Sequence, residues 1–167
     1  MSAFQTTSPA TALCTSCGLC CDGFLHGHVV LEPNEVERAK ALGLPLLTDG
    51  RCGFSQPCPK LVECCCSIYD VRPSACSGYE CRLLEKLVSG DVTLDAALQT
   101  VVQARAMADI FEADRIGPPA ADPREAAEQV LRRTTFRLFL DRHFRNDRDG
   151  PMVMQEKVAM TDKEIRE

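Results

Sequence analysis

Leu94, Ala97, Leu98, Val101, Ala104 and Ala108 recur at helical spacing, with Thr93 ahead of them as a capping residue. The pattern predicts a long amphipathic helix from Thr93 to about Arg115. The loop Gly117-Pro118-Pro119-Ala120-Ala121 follows, and then Asp122-Pro123-Arg124-Glu125, a strong helix start: an acid at the cap, proline at the first position, Glu at the third. This second helix is predicted to run to about Phe144, with Val130, Leu131 and Leu138 among its buried residues. Tyr79 to Val88 reads as a shorter helix stopped by Ser89-Gly90. Upstream the pattern breaks up. Gly and Pro interrupt the chain every few residues as far as Tyr79, and few long elements survive that density of breakers. One helix is still signalled there: Pro33 at its first position, Val36, Ala39 and Leu42 on one face, and Gly43 at its end. His26 to Leu31 reads as a short extended segment, and past Asn146 the chain is polar and unpatterned, as expected of a mobile tail.

Composition sharpens this picture. A chain of 167 residues is most simply one domain, or one domain with a small appendage, and it can bury roughly 70% of its unfolded surface. It has no Trp, seven Phe and two Tyr, so its core must be mostly Leu, Val, Ala and Met, which suits helices better than a β-sandwich. The net charge of −5 disfavours general binding to nucleic acid or anionic lipid. Met1 to Leu13 lacks the basic and apolar regions of a secretory leader, and no stretch approaches the roughly 18 apolar residues a membrane helix needs. The expectation is a cytoplasmic protein whose thiols stay reduced.

Those thiols are the main chemical signal. All eleven cysteines fall between Cys14 and Cys81. Their number is odd, which rules out complete pairing within one chain, and their close spacing suits them to grip a metal. In Cys14-Thr-Ser-Cys17-Gly-Leu-Cys20-Cys21, thiols three apart on a turn can converge, with a fourth ligand supplied from elsewhere. Adjacent Cys20 and Cys21 are expected to diverge, leaving Cys21 to face a second site or a bridging position. A second constellation comprises Cys58-Pro59, the run Cys64-Cys65-Cys66-Ser67-Ile68-Tyr69-Asp70-Val71-Arg72-Pro73, then Cys76 and Cys81. A plain ferredoxin run would have Cys three residues after Cys20, where this chain has Phe24, so a simple ferredoxin fold is not expected.

This ordered combination resembles the YkgJ-type family, also called the CxxCxxCC or zinc- or iron-chelating domain, and a flagellin lysine methylase shares its cysteine pattern. The resemblance covers Cys14 to Cys81. It implies a metal-ligand set of Cys14, Cys17, Cys20, Cys21, Cys58, Cys66, Cys76 and Cys81, leaving Cys52, Cys64 and Cys65 outside the pattern. The implied cofactor is an iron–sulfur cluster, [4Fe-4S] first, or Zn²⁺; both accept four thiolates, so spacing does not separate them. Tyr69 and Arg72 lie within the strongest motif. Arg72 could hydrogen-bond cluster sulfurs or offset thiolate charge, or it could pair with Asp70 while Tyr69 simply packs.

His26 and His28 would share one face of an extended segment and could complete a metal site, although a solvent-facing position is the commoner outcome. The Arg-rich end of the last helix (Arg132, Arg133, Arg137, Arg142, Arg145, Arg148) reads more readily as a solvated face than as an RNA surface. No hydrolase or nucleotide motif is present.

The expected fold is therefore mostly α. A small, irregular cysteine-rich domain (14–90) packs on a helical extension (91–146), followed by a flexible tail (147–167). The expected function is metal or cluster binding. The alternatives are a cluster-dependent redox or methyl-transfer enzyme and a structural zinc module presenting its C-terminal helices to a protein partner.

Overall fold

The computed structural model describes residues 8–118 and 120–146, and the tail read over 147–167 lies outside the described residues. The two long helices form as their start signals require. In α5 (Leu94–Ile116) the Thr93 hydroxyl accepts the Ala96 N–H at 3.2 Å. In α6 (Pro123–His143) the Asp122 carboxylate accepts the Glu125 N–H at 2.9 Å, and Glu125 reaches back to the Ala121 N–H at 2.6 Å. Each pair satisfies backbone donors that the first helical turn leaves open. Arg132 grips Asp114 through two 2.8 Å bonds and ties α6 to α5.

The buried face of α6 differs from the sequence expectation. Phe136 and Leu140 are buried, with Phe144 just past the helix end. Val130, Leu131 and Leu138 are 63%, 66% and 62% exposed. At 100° per residue, Leu131 and Leu138 project from the side opposite Phe136 and Leu140, so α6 carries apolar residues on two faces and only one meets α5. Arg145 also departs from the solvated face expected of it. It is 6% exposed, donates to the Leu25 carbonyl at 3.1 Å and lies 3.4 Å from Asp141.

The N-terminal half holds a helix that the sequence reading passed over. α1 (Pro9–Cys17) starts at Ser8, whose hydroxyl accepts the Thr11 N–H at 3.1 Å, with proline at the first position. It stops at Gly18, whose φ of +70° favours glycine, and a Cβ there would be tight against Leu61 and the Cys64 backbone at 3.3–3.4 Å. After β1 (His28–Val30) come a 3₁₀ turn at Pro33–Glu35, α2 (Val36–Ala41), β2 (Gly53–Ser55), β3 (Leu61–Val62), β4 (Cys65–Cys66), a 3₁₀ turn at Tyr69–Val71 and α3 (Ser74–Ser77). α4 (Arg82–Ser89) then leads into α5. The strands form two small antiparallel pairs, β1 with β2 and β3 with β4.

Two cores result. The larger joins Leu13, Leu19 and Leu25 to Leu83 and Leu84 of α4 and to the buried faces of α5 and α6. Phe24 extends it, set edge-on to Phe111 and Phe136 at 5.7 and 5.2 Å between ring centres, and Arg105 pairs with Asp22 at 2.6 Å. The smaller core consists of Leu31, Ala39, Leu44 and Phe54. It depends on Gly53, opposite Val30 in the β1–β2 register, because a Cβ there would lie 2.5 Å from the Val29 carbonyl oxygen. Gly53→Ala is expected to cost about 1–3 kcal/mol by overpacking a backbone contact. An unchanged urea midpoint would show that the strand pair yields freely.

Candidate metal centre

Cys14 and Cys17 sit about one turn apart near the end of α1, so the first part of the cysteine run is helical and not the expected turn. The chain leaves the helix at Gly18, whose carbonyl accepts the Cys21 and Asp22 N–H groups at 2.9 and 3.1 Å. This tight turn brings Cys20 and Cys21 forward together. Their sulfurs are 3.8 Å apart, so the adjacent side chains do not diverge as expected.

The later cysteines come to the same place by other routes. The Cys58 N–H donates to the Cys21 carbonyl at 2.7 Å, which fixes the two residues beside each other. Cys66 stands opposite Leu61 in the β3–β4 pair, and the Leu61 N–H donates to the Cys58 carbonyl at 3.1 Å. Cys76 lies in α3, and Cys81 is the cap residue of α4 with its thiol not engaged in capping. All eleven thiols are free of disulfides.

All eight cysteines of the motif line one cavity of about 390 Å³. Cys64 joins them on its wall. Cys52 and Cys65 are exposed and do not line it, and the Cys65 thiol donates to the Thr15 carbonyl at 3.3 Å. Among the described residues, no three Cys, His, Asp or Glu side chains are already drawn close enough to hold a metal ion. The thiols ring the space without closing on one point.

Packing divides the ring. Cys14, Cys17, Cys20 and Cys81 pack against the larger core, whereas Cys58 and Cys76 pack against the smaller. Burial pushes Cys17 up to about 12, with Cys81, Asp22 and Cys14 adding to the rise. Burial likewise raises Cys76 to about 12, and here the neighbours that add are Cys21, Cys58 and Cys66. Burial also raises Cys58 and Cys66, and Cys21 adds to the rise at each. The hydrogen bond between Cys20 and Cys21 raises Cys20 and lowers Cys21, so of the two Cys21 gives up its proton more readily.

Arg72 faces this cavity, with its guanidinium 3.7 Å from the centre of the Tyr69 ring. No ion pair to Asp70 forms among the described residues. Instead Arg72 lowers Cys14, Cys21, Cys66 and Cys76 electrostatically, opposing burial at Cys14, Cys66 and Cys76 and adding to the Cys20 hydrogen bond at Cys21. Its Nε is buried without a hydrogen-bond partner among the described residues, as is Gln56 Oε1 on the same wall. Soft, ionisable donors around one space and a buried cationic N–H left to donate are what a thiolate-bound metal or sulfide cluster requires, so the residues present fit such a group.

The supports of the motif were not evident from the sequence. Glu35 accepts the Ser74 N–H and hydroxyl, both at 2.8 Å, and so caps α3, while Arg38 donates to the Val71 carbonyl. Gln56 donates to the Cys20 carbonyl at 3.2 Å. His26 precedes β1, packs edge-on to Tyr79 at 4.7 Å and lines the cavity. His28 also lines it, and its Nε2 is 3.4 Å from Arg51. Both histidines are half-buried, and the contact between His28 and Arg51 is exposed.

A mostly helical chain with this polythiol cavity is a cysteine-rich metal-binding module. Residues 13–95 match the CxxCxxCC family model, described as a "putative zinc- or iron-chelating domain", and this part of the chain belongs to that family. No curated protein and no solved structure matches it. Among the described residues, no helix is long and apolar enough to cross a membrane.

Proposed function

We propose that this chain binds an iron–sulfur cofactor of the [4Fe-4S] type, whose four cysteine positions are filled from the set Cys14, Cys17, Cys20, Cys21, Cys58, Cys66, Cys76 and Cys81. The observation that carries this reading is that all eight motif thiols line one cavity while Cys52 and Cys65 fall outside it. A cluster is favoured over a single ion because a mononuclear zinc site needs four donors at about 2.3 Å from one point, and among the described residues no three of these side chains are drawn that close. Iron–sulfur ligation would supply electron-transfer or substrate-binding capacity. Arg72 would donate its unpartnered Nε–H toward the centre, and Tyr69 would hold the guanidinium in place from its far side.

The second reading is a closed zinc site that staples the N-terminal half. It is favoured by the small size of the core formed by Leu31, Ala39, Leu44 and Phe54. Both readings place the protein in a reducing compartment, the cytoplasm, where the thiols stay available to metal. Anaerobic purification followed by iron, acid-labile sulfide and zinc analysis separates them. Iron and sulfide in equal amounts are expected, with full metal retained in Cys52→Ser and Cys65→Ser variants. Zinc without sulfide would establish the staple, and protein free of both metals would overturn the proposal.

A further inference from the structure

We propose that the eight thiols form two four-thiolate sites, Cys14, Cys17, Cys20 and Cys81 in one and Cys21, Cys58, Cys66 and Cys76 in the other, joined through the Cys20–Cys21 peptide bond. The inference rests on the metal-binding reading above and adds the number of centres and their separate ligands.

Two observations converge on this division. The first is packing: Cys14, Cys17, Cys20 and Cys81 stand on the larger core, while Cys58 and Cys76 stand on the smaller. The second is backbone placement. Cys58 is bonded to the Cys21 carbonyl, and Cys66 faces Leu61, whose N–H returns to Cys58, so Cys21, Cys58 and Cys66 are assembled by consecutive local bonds. On the other side, α1 carries Cys14 and Cys17 and packs on α4, whose cap is Cys81.

The sets adjoin where the Cys20 and Cys21 sulfurs lie 3.8 Å apart, and where α1 meets β4, the strand that carries Cys66.

Chemistry explains why two sites can stand so close. Four thiolates around a divalent ion carry a net charge of about −2, and a cluster held the same way is also anionic. Two such centres repel each other in a low-dielectric cavity. Arg72 is placed to offset that repulsion, because it lines the same cavity as all eight thiols and its buried Nε has no partner among the described residues. A guanidinium suits this place because it keeps its charge when buried and presents several donors in fixed directions.

The test counts metal per full-length chain after anaerobic purification, with native mass spectrometry reading the number of centres. Wild type is expected to carry two. Cys17→Ser with Cys81→Ser should keep one, and so should Cys66→Ser with Cys76→Ser; all four changes together should leave none. Far-UV circular dichroism checks that α5 and α6 persist in each variant. Loss of all metal from either pair, with the helices intact, would mean one shared centre and overturn the division. Should a pair fail to fold, the wild-type count decides: two centres support the proposal and one overturns it. A wild type with no metal at all would instead overturn the metal-binding reading itself.

Discussion

Anaerobic removal of metal from the full chain is expected to accelerate hydrogen exchange most over residues 28–79 and least in α5 and α6. The reason lies in how unequally the two cores are built. α1 and the loop carrying Leu19, Phe24 and Leu25 share the larger core with three other helices, and Arg145, just past α6, and Arg105 of α5 fasten that loop. The stretch from β1 to α3 has four fully buried apolar residues, two strand pairs of two or three residues, and helices of only six and four residues. Ordering each residue costs about 1–2 kcal/mol of chain entropy, and so small a core leaves much of that to metal ligation. Circular dichroism should keep most of its helical signal while amides of β1, β2 and the Tyr69–Val71 turn lose protection. Unchanged exchange over 28–79 after complete metal removal would show that the metal is an accessory to this fold.

The metal-free and metal-loaded forms should respond to pH in opposite directions. In the metal-free, reduced protein, Cys17 and Cys76 are held up to about 12 by burial, against an ordinary value of 9.0. Between those values the unfolded chain has lost thiol protons that the folded chain retains. Stability is therefore full below about pH 9 and falls as pH rises, by up to about 1.4 kcal/mol per pH unit for a thiol as enclosed as Cys17. The loaded protein needs its ligands as thiolates, so protons compete with metal and the loss comes on acidification. Urea midpoints at pH 7.5, 9 and 10 should decline for the metal-free form and hold for the loaded one, whereas metal retention at pH 7.5, 6 and 5 should fall. A metal-free protein that gains stability above pH 9 would contradict the burial of these thiols.

How much of this was legible in the sequence depended on the range of the interactions. Thr93 and Asp122-Pro123 mark helix starts by bonding three residues ahead, and both helices begin there. Ser8-Pro9 is the same kind of signal, yet the cysteines just after it suggested a turn, and α1 was passed over. The buried face of α6 could not be read from periodicity, since Leu131 and Leu138 satisfy a helical pattern as well as Phe136 and Leu140 do; contact with α5 decides between them. The motif cysteines were visible as a set. Their division was not, because it depends on Cys58 meeting Cys21 and on Cys81 reaching α1 across long loops. Glu35, Arg38 and Gln56 escaped notice for the same reason: each acts on a backbone group distant in sequence.

The Cys20–Cys21 junction has a mechanical consequence. One planar peptide unit, spanning about 3.8 Å between Cα atoms, separates Cys20, which stands on the larger core, from Cys21, whose carbonyl receives the Cys58 N–H. The chain returns to the larger core at once through Asp22, Phe24 and Leu25, so this short loop is anchored on both sides of the pair. Such an arrangement leaves little slack. A displacement of Cys58 is expected to be passed to Cys21 and, through the shared peptide, to Cys20, so that the two thiols shift together.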